Sequence, residues 1–392
     1  MEGSSDWAGL VVDILESISG RLTDPTDFVR FRAVCPQWRD SIPVTHARFS
    51  PWILKSEEIG NSGDIQFYSL ESGKLQNMHV PALEGKRTRL AGFGAGLLIG
   101  VDSEDELSAV LANPLTGDTS TLPRLPEWCL NCHTNGFVTD PKVTGEKDVF
   151  VVIYGYRWPV GDERLGHIAL WRLGDADGWA TIPSQRFWPM MPQYMSRLSK
   201  HGPRMLEEKM ATVAAGCGKN GLTNGGKALI PVMESAYLME NKDRVRFLSQ
   251  HWMFTDTAHL PQPQDAPVSP GDLIPGLTFE LRDTLDADGD AIDWADAPEL
   301  HGKVIFQSQD TGCYVLPASD RFADMKGNFV YFLSWQRQEE VDGDGAVGDG
   351  NAFGYFLCKW DMIRRFATVV EKVPGAWDQH KPGMWFMPTF KY

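Results

Sequence analysis

Two spacings of apolar residues divide this chain. Between Asp6 and Ile42, Leu10, Val11, Ile14, Leu15, Ile18 and Leu22 recur three or four positions apart, with Asp13, Glu16 and Ser17 opposite, the pattern of a helix with one apolar face. Gly20 weakens the end of that helix. Thr23-Asp24-Pro25 then stops it and opens a second, from about Pro25 to Ala33, with Asp24 as N-cap and Pro25 in the first turn, where a missing N–H is tolerated. Val34, Trp38 and Ile42 stand at i, i+4 and i+8, and Pro36 fits only a first turn, so a third short helix is expected to begin near Cys35. A unit of about 40 residues buries too little apolar surface to offset chain entropy alone. Some of these side chains are therefore expected to face a partner.

After the connector His46 to Lys55, in which Pro51 and Trp52 are expected to pack the cap on the next domain, the period changes. Short apolar runs separated by Gly, Pro, Asn and Asp take over. They include Ile65 to Leu70, Leu97 to Val101, Ala109 to Ala112, Val149 to Tyr154 and Ile168 to Leu173, and later Lys303 to Gln307, Cys313 to Leu316, Phe329 to Trp335 and Phe353 to Trp360. Many short strands with frequent turns predict a large all-β architecture. Three segments, Tyr68 to Pro81, Asn113 to Pro123 and Leu170 to Pro183, share a strand, a turn containing Gly, a polar strand and a closing Pro. Their spacing suits four-stranded blades, and a β-propeller of six or seven blades fits the remaining roughly 340 residues. The expected organisation is thus α+β and multi-domain: a three-helix cap at 6–45, a connector at 46–60 and a propeller-like domain at 61–392. Pro203 to Gly216 breaks the pattern, reading either as a helical insertion or, from Met210 to Ala215, as a strand.

Charge and candidate chemistry narrow the function. The 392 residues carry 37 Lys and Arg against 52 Asp and Glu, a formal charge of −15 with no basic run, which argues against non-specific binding to nucleic acid or an anionic membrane. No apolar stretch approaches the roughly 18 residues that span a bilayer, and Met1 to Ser5 does not start like a secretory signal. Six cysteines without framework spacing suggest free thiols in a reducing compartment, cytoplasm or nucleus. Cys129-Leu-Asn-Cys132-His133 has the spacing of covalent haem attachment, but haem attachment needs export and a zinc site needs ligands that no second CxxC supplies. Asp286-Ala-Asp288-Gly-Asp290 starts like a calcium loop and fails at Ala291 and Ala297, leaving a solvated loop, as does Asp342 to Asp349. The glycine-rich Gly92 to Gly96 and Gly216 to Gly221 read as turns between strands. No nucleophile elbow or His-Glu-x-x-His pair occurs, so no catalytic residue, metal or cofactor is expected. Phe187, Trp188, Met190, Met191 and Tyr194 form a segment of residue types favoured at adaptable binding surfaces. On an exposed loop they would contact a target protein; otherwise they pack between blades.

The helical segment resembles an F-box: Ile14-Leu15, Ile18, Arg21-Leu22, Asp24, the run Val29-Arg30-Phe31-Arg32-Ala33-Val34-Cys35 and Trp38-Arg39 stand in the expected order and spacing. One position departs, since the family usually opens with Leu-Pro and here Leu10 precedes Val11. Further on, Phe67 to Glu71, Asn113 to Gly117, Gly302 to Phe306, Gly327 to Phe332 and Trp385 to Pro388 are similar to plant F-box proteins that carry a kelch-like associated domain of unknown function. The resemblance implies that the three helices dock on the Skp-type adaptor of a cullin-RING ubiquitin ligase while the rest selects the protein to be ubiquitylated. It implies a core and adaptor face built from Leu10, Ile14, Leu15, Ile18, Leu22, Val34, Cys35 and Trp38, with Arg32 anchoring the edge through its charge. Two other readings stay open: a scaffold that holds the adaptor without ubiquitylation, and a propeller enzyme resembling kelch-type oxidases.

Overall fold

A computed structural model describes residues 7–22, 24–43, 49–55, 58–131, 133–138, 148–157, 165–186, 223–224, 227–237, 246–254, 268–282, 292–308, 312–318, 327–337, 353–375, 377 and 383–388. Three helices come first: α1 (Val12–Ser19), α2 (Pro25–Ala33) and α3 (Pro36–Ser41). The Asp24 carboxylate accepts from the Thr26 N–H at 2.7 Å, and Pro25 opens α2. Helix α1 is shorter than its apolar spacing suggests. Leu10 and Leu22 lie outside it, behind the 3-10 turn Trp7–Gly9 and beyond Gly20, whose N–H bonds the Glu16 carbonyl. Leu15, Phe28, Phe31, Trp38, Ile42 and Phe49 form a core for the cap, separate from those of the strands.

Everything after the cap is mostly β. In chain order the strands are β1 (Trp52–Leu54), β2 (Glu58–Ile59), β3 (Asp64–Ser69), β4 (Lys74–His79), β5 (Thr88–Gly94), β6 (Leu97–Asp102), β7 (Ala109–Ala112), β8 (Thr119–Thr121), β9 (His133–Val138), β10 (Phe150–Arg157), β11 (Leu165–Arg172) and β12 (Ala180–Arg186). They continue with β13 (Thr223–Asn224), β14 (Lys227–Tyr237), β15 (Arg246–Phe254), β16 (Leu273–Ile274), β17 (Leu277–Arg282), β18 (Lys303–Ser308), β19 (Gly312–Pro317), β20 (Phe329–Arg337), β21 (Phe353–Asp361), β22 (Phe366–Lys372) and β23 (Met384–Phe386). The sheets read β23-β1-β3-β4, then β5-β6-β7-β8 joined through a parallel β5–β9 pair to β9-β10-β11-β12, then β13-β14-β15-β17, and finally β16-β22-β21-β20 with β18-β19 attached. This succession of antiparallel meanders curling past one another is consistent with a β-propeller.

The cores lie between successive sheets, which explains the near-continuous apolar runs. In β1, Trp52 and Leu54 enter a cluster with Phe67, Phe93 and Phe386, while Ile53 points the other way into a cluster with Tyr68, Phe306 and Trp385. A strand buried on both faces cannot show polar alternation. The same strand joins the two ends of the β region, because it pairs with β3 on one side and with the C-terminal β23 on the other. The stretch expected to be a connector therefore contributes β1 and β2 to the sheets.

The three repeat segments fall on the hairpins β3–β4, β7–β8 and β11–β12. Pro183 does not close its hairpin: it stands inside β12 where the register shifts between Gly166 and Ile168, a bulge that spares the ladder a donor Pro lacks. Gly92 is a matter of close approach rather than of turning, since a Cβ there would lie 1.8 Å from the Gly136 carbonyl oxygen across the β5–β9 pair. Pro203 to Gly216, Asp286 to Asp290, Asp342 to Asp349 and Gly216 to Gly221 lie outside the described residues.

Candidate functional site

The candidate face on the cap arises from how α1 spends its apolar residues. Leu15 is fully buried and Ser19 nearly so, which sets the inward side. Val11, Ile14 and Ile18, at i, i+3 and i+7, share a stripe beside it and remain exposed, Ile14 at 47%. Val12, Val29 and Val34 are exposed as well, Val34 at 55%, and Trp7 at 63%. Ten large apolar residues are exposed among the described ones, and seven of them fall between Trp7 and Val34. Apolar side chains left in solvent at this density on so small a unit make the cap the candidate for a contact with a partner.

The expected adaptor residues divide by burial. Ile14, Ile18 and Val34 are on the surface, Leu10, Leu22 and Cys35 are half-buried and packed against the core, and Leu15 and Trp38 belong to the core itself. Trp38 packs on Phe31 with ring centroids 4.7 Å apart and planes tilted by 40°, and its indole N–H donates to the Trp7 carbonyl at 2.9 Å, tying the N-terminal turn to α3. It is thus an internal anchor rather than an outward-facing one. Trp7, Val11, Val12 and Val29 complete the exposed set, and sequence reasoning did not assign them to the site. The i, i+3, i+7 relation of Val11 to Ile14 and Ile18 was the available signal for one of them.

Arg32 sits half-buried at the edge. One guanidinium nitrogen donates to the Arg39 carbonyl at 3.3 Å, while its Nε, cut off from solvent, meets no acceptor among the described residues. Burial, and then the nearby charge of Arg39, lower its pKa against the opposing pull of Asp40. An unmet donor on a cation beside an apolar face suits an acceptor brought by a partner. Asp27 and Arg30 pair at 3.1 Å, both largely in solvent.

The remaining candidates carry less. Cys129 is a buried thiol in the 3-10 helix Glu127–Asn131, and Cys132 lies outside the described residues. No group of three or more His, Cys, Asp or Glu side chains among the described residues is gathered as a metal site would need. Gly92 to Gly96 form the β5–β6 hairpin, with Ala95 at φ +51° in its turn. Phe187, Trp188, Met190, Met191 and Tyr194 lie outside the described residues. Among the described residues no helix is long and apolar enough to cross a membrane.

Comparison with known proteins gives two similarities. Residues 67–213, which begin within β3 and run past β12, match a family described as the KIB1-4 beta-propeller. Over 39 residues the chain is 46% identical to an Arabidopsis thaliana protein named as an F-box protein, a match covering 10% of this chain and 11% of that protein. The matched segment thus spans about a tenth of the relative's length. With the three N-terminal helices and the curled β sheets, these similarities support a plant-type F-box protein that carries a β-propeller.

Proposed function

We propose that this chain is the substrate-receptor subunit of an SCF-type ubiquitin ligase, holding a Skp-type adaptor through its helical cap and a target protein through its propeller. The observation that carries the reading is the concentration of Val11, Ile14, Ile18, Val29 and Val34 in solvent on a cap whose own core is complete without them. Burying such a side chain from full exposure is worth about 1.5–3 kcal/mol, and these, still 36–60% exposed, offer a groove-lined adaptor a part of that each from surface that has no use inside this molecule. Arg32 then finds its missing acceptor at the rim of the same contact.

In this role the chain performs no bond chemistry. Binding the adaptor brings cullin and RING subunits with it, and binding a target beside them raises the local concentration of the target's lysines near a charged conjugating enzyme to the order of millimolar. The acidic net charge and free thiols suit a protein partner in cytoplasm or nucleus.

The deciding experiment is capture of a purified Skp-type adaptor by the full chain and by a chain lacking residues 1–45. Capture that requires those residues supports the receptor; equal capture by both, or by neither, sinks it. Reconstituted ubiquitylation of a co-purifying target then separates a receptor from a scaffold that merely holds the adaptor.

A further inference from the structure

The 3-10 turn Trp7–Gly9 carries the most exposed large apolar side chain of the cap, Trp7, 63% in solvent. An indole in water is a large apolar surface left uncovered, and here it does not stand alone. Val11, four positions on, leads the exposed stripe that continues through Ile14 and Ile18, so exposed apolar residues begin a turn before α1 itself. The cap's core cluster, with Leu10, Leu22 and Cys35 packed against it, does not include Trp7.

The backbone of that turn is nevertheless fixed from the core. The Trp7 carbonyl accepts from the Leu10 N–H at 3.4 Å within the turn and from the Trp38 indole at 2.9 Å across 31 positions, and the second bond is the better one by length. Its donor belongs to a buried ring that packs on Phe31. A core residue thus uses its one polar atom to hold a stretch of backbone whose own side chain gives nothing to that core.

The departure at Val11 gives this bond its importance. Val11 precedes α1 with φ at −68°, the value to which the ring of the proline usual at this position would lock it. Valine reaches the same angle without being confined to it, and its side chain makes no capping bond to α1. The path of the chain into α1 is therefore restrained from outside, by Trp38, rather than by the residue at the junction.

We infer that Trp7 is a contact residue for the adaptor and that Trp38 is its positioning residue, the buried indole N–H holding the turn so that the Trp7 ring is presented ahead of Val11, Ile14 and Ile18. Tryptophan is the side chain most favoured at the energetic centre of an interface. A ring on a backbone already held loses less freedom on binding than one on a loose N-terminal stretch, and the difference appears as affinity. The inference rests on the receptor reading and adds to it that the adaptor's apolar groove continues past the N-terminal end of α1.

The test is titration of a labelled, purified Skp-type adaptor with the full chain as wild type, Trp7→Ala, Trp38→Phe and the double variant, with Kd read by fluorescence anisotropy. Trp7→Ala removes an exposed ring, so thermal unfolding should not move, while Kd should rise about tenfold or more, and Trp7→Phe should recover most of that loss. Trp38→Phe keeps an aromatic ring against Phe31 and loses the N–H. In its background the further effect of Trp7→Ala should shrink to about twofold or less, because the ring is no longer held in place. Both members of that second pair carry Trp38→Phe, so any general loosening of the cap cancels from their ratio. Undiminished binding by Trp7→Ala overturns the proposal. So does an undiminished effect of Trp7→Ala in the Trp38→Phe background, which would make the bond no more than the acceptor a buried indole needs. Wild-type binding that Ile14→Ser with Ile18→Ser weakens and Trp7→Ala does not would remove this inference and leave the receptor reading standing, whereas a wild type that does not bind removes both.

Discussion

The helical cap and the β region treat large apolar side chains in opposite ways. In the strands such residues are packed between one sheet and the next, so that Ile53, Phe306, Trp360 and Trp385 are all within 1% of full burial. Beyond Val34 only Leu130, Leu273 and Ile363 are exposed among the described residues. In the cap, a core of six buried residues is finished by Phe49 from the connector, and a second set of comparable size remains outside. A sheet stacked on its neighbours satisfies both of its faces within the chain, whereas three short helices satisfy one side and leave the other for a partner. The contrast predicts that mutations in the β region act on stability and mutations on the outer cap act on binding.

The sharpest test of the first half is Trp385→Ala. The ring packs edge-on against Phe306 at 5.0 Å and its N–H donates to the Gln307 carbonyl at 2.7 Å, so β23 is held to β18 as well as to β1. Truncation should lower stability by about 3–5 kcal/mol, seen as a fall in the urea midpoint. A loss under about 1 kcal/mol would mean that the pairing of the two chain ends carries little of the fold. Gly92→Ala comes next. Its new Cβ would force β5 from β9, at the upper end of the ~1–3 kcal/mol typical of overpacking, and a neutral result in thermal unfolding would show that the parallel pair opens freely.

These two residues also show what could be read from the sequence. Helix α2 was legible to the residue because its start is decided by neighbours: Asp24 caps and Pro25 fixes φ. Strand Ala109–Ala112 was legible for a similar reason, bounded by polar turns on each side. The β1–β23 pair was not, because Trp52 and Phe386 meet only through the closure of everything between them, and the glycine at 92 reads as a turn until Gly136 is brought opposite. Burial on the cap was half legible. Helical spacing gave the apolar stripe, but not the line along it that separates Leu15 inside from Ile14 and Ile18 outside. The bond from Trp38 to Trp7 was illegible, since it joins residues 31 positions apart that only the fold brings together.

The second half of the contrast is tested by Ile14→Ser combined with Ile18→Ser. Both side chains are exposed, so the unfolding free energy read from urea titration should change by no more than about 0.5 kcal/mol, while adaptor capture should weaken tenfold or more. Leu15→Ala, one position along, is the control that inverts this: about 2–5 kcal/mol of local stability is lost. Should the double serine variant lose stability and keep its capture, the outer stripe would be packing surface and the division between core and contact face would fail.

The smallest effect is expected from Asp24→Ala, and it tests whether cap and β region unfold as separate units. Asp24 accepts from the Thr26 N–H at 2.7 Å and so satisfies one of the donors that the start of α2 cannot satisfy itself. Alanine removes that bond at about 1 kcal/mol. Because the cap's cluster of Leu15, Phe28, Phe31, Trp38, Ile42 and Phe49 is distinct from those between the sheets, the loss should appear as faster hydrogen exchange in α1 to α3, with protection in β5, β10 and β21 unchanged. Uniformly faster exchange through the strands would instead make cap and sheets one cooperative body, with Phe49, packed 5.8 Å from Phe28 and three residues before β1, as the link that couples them.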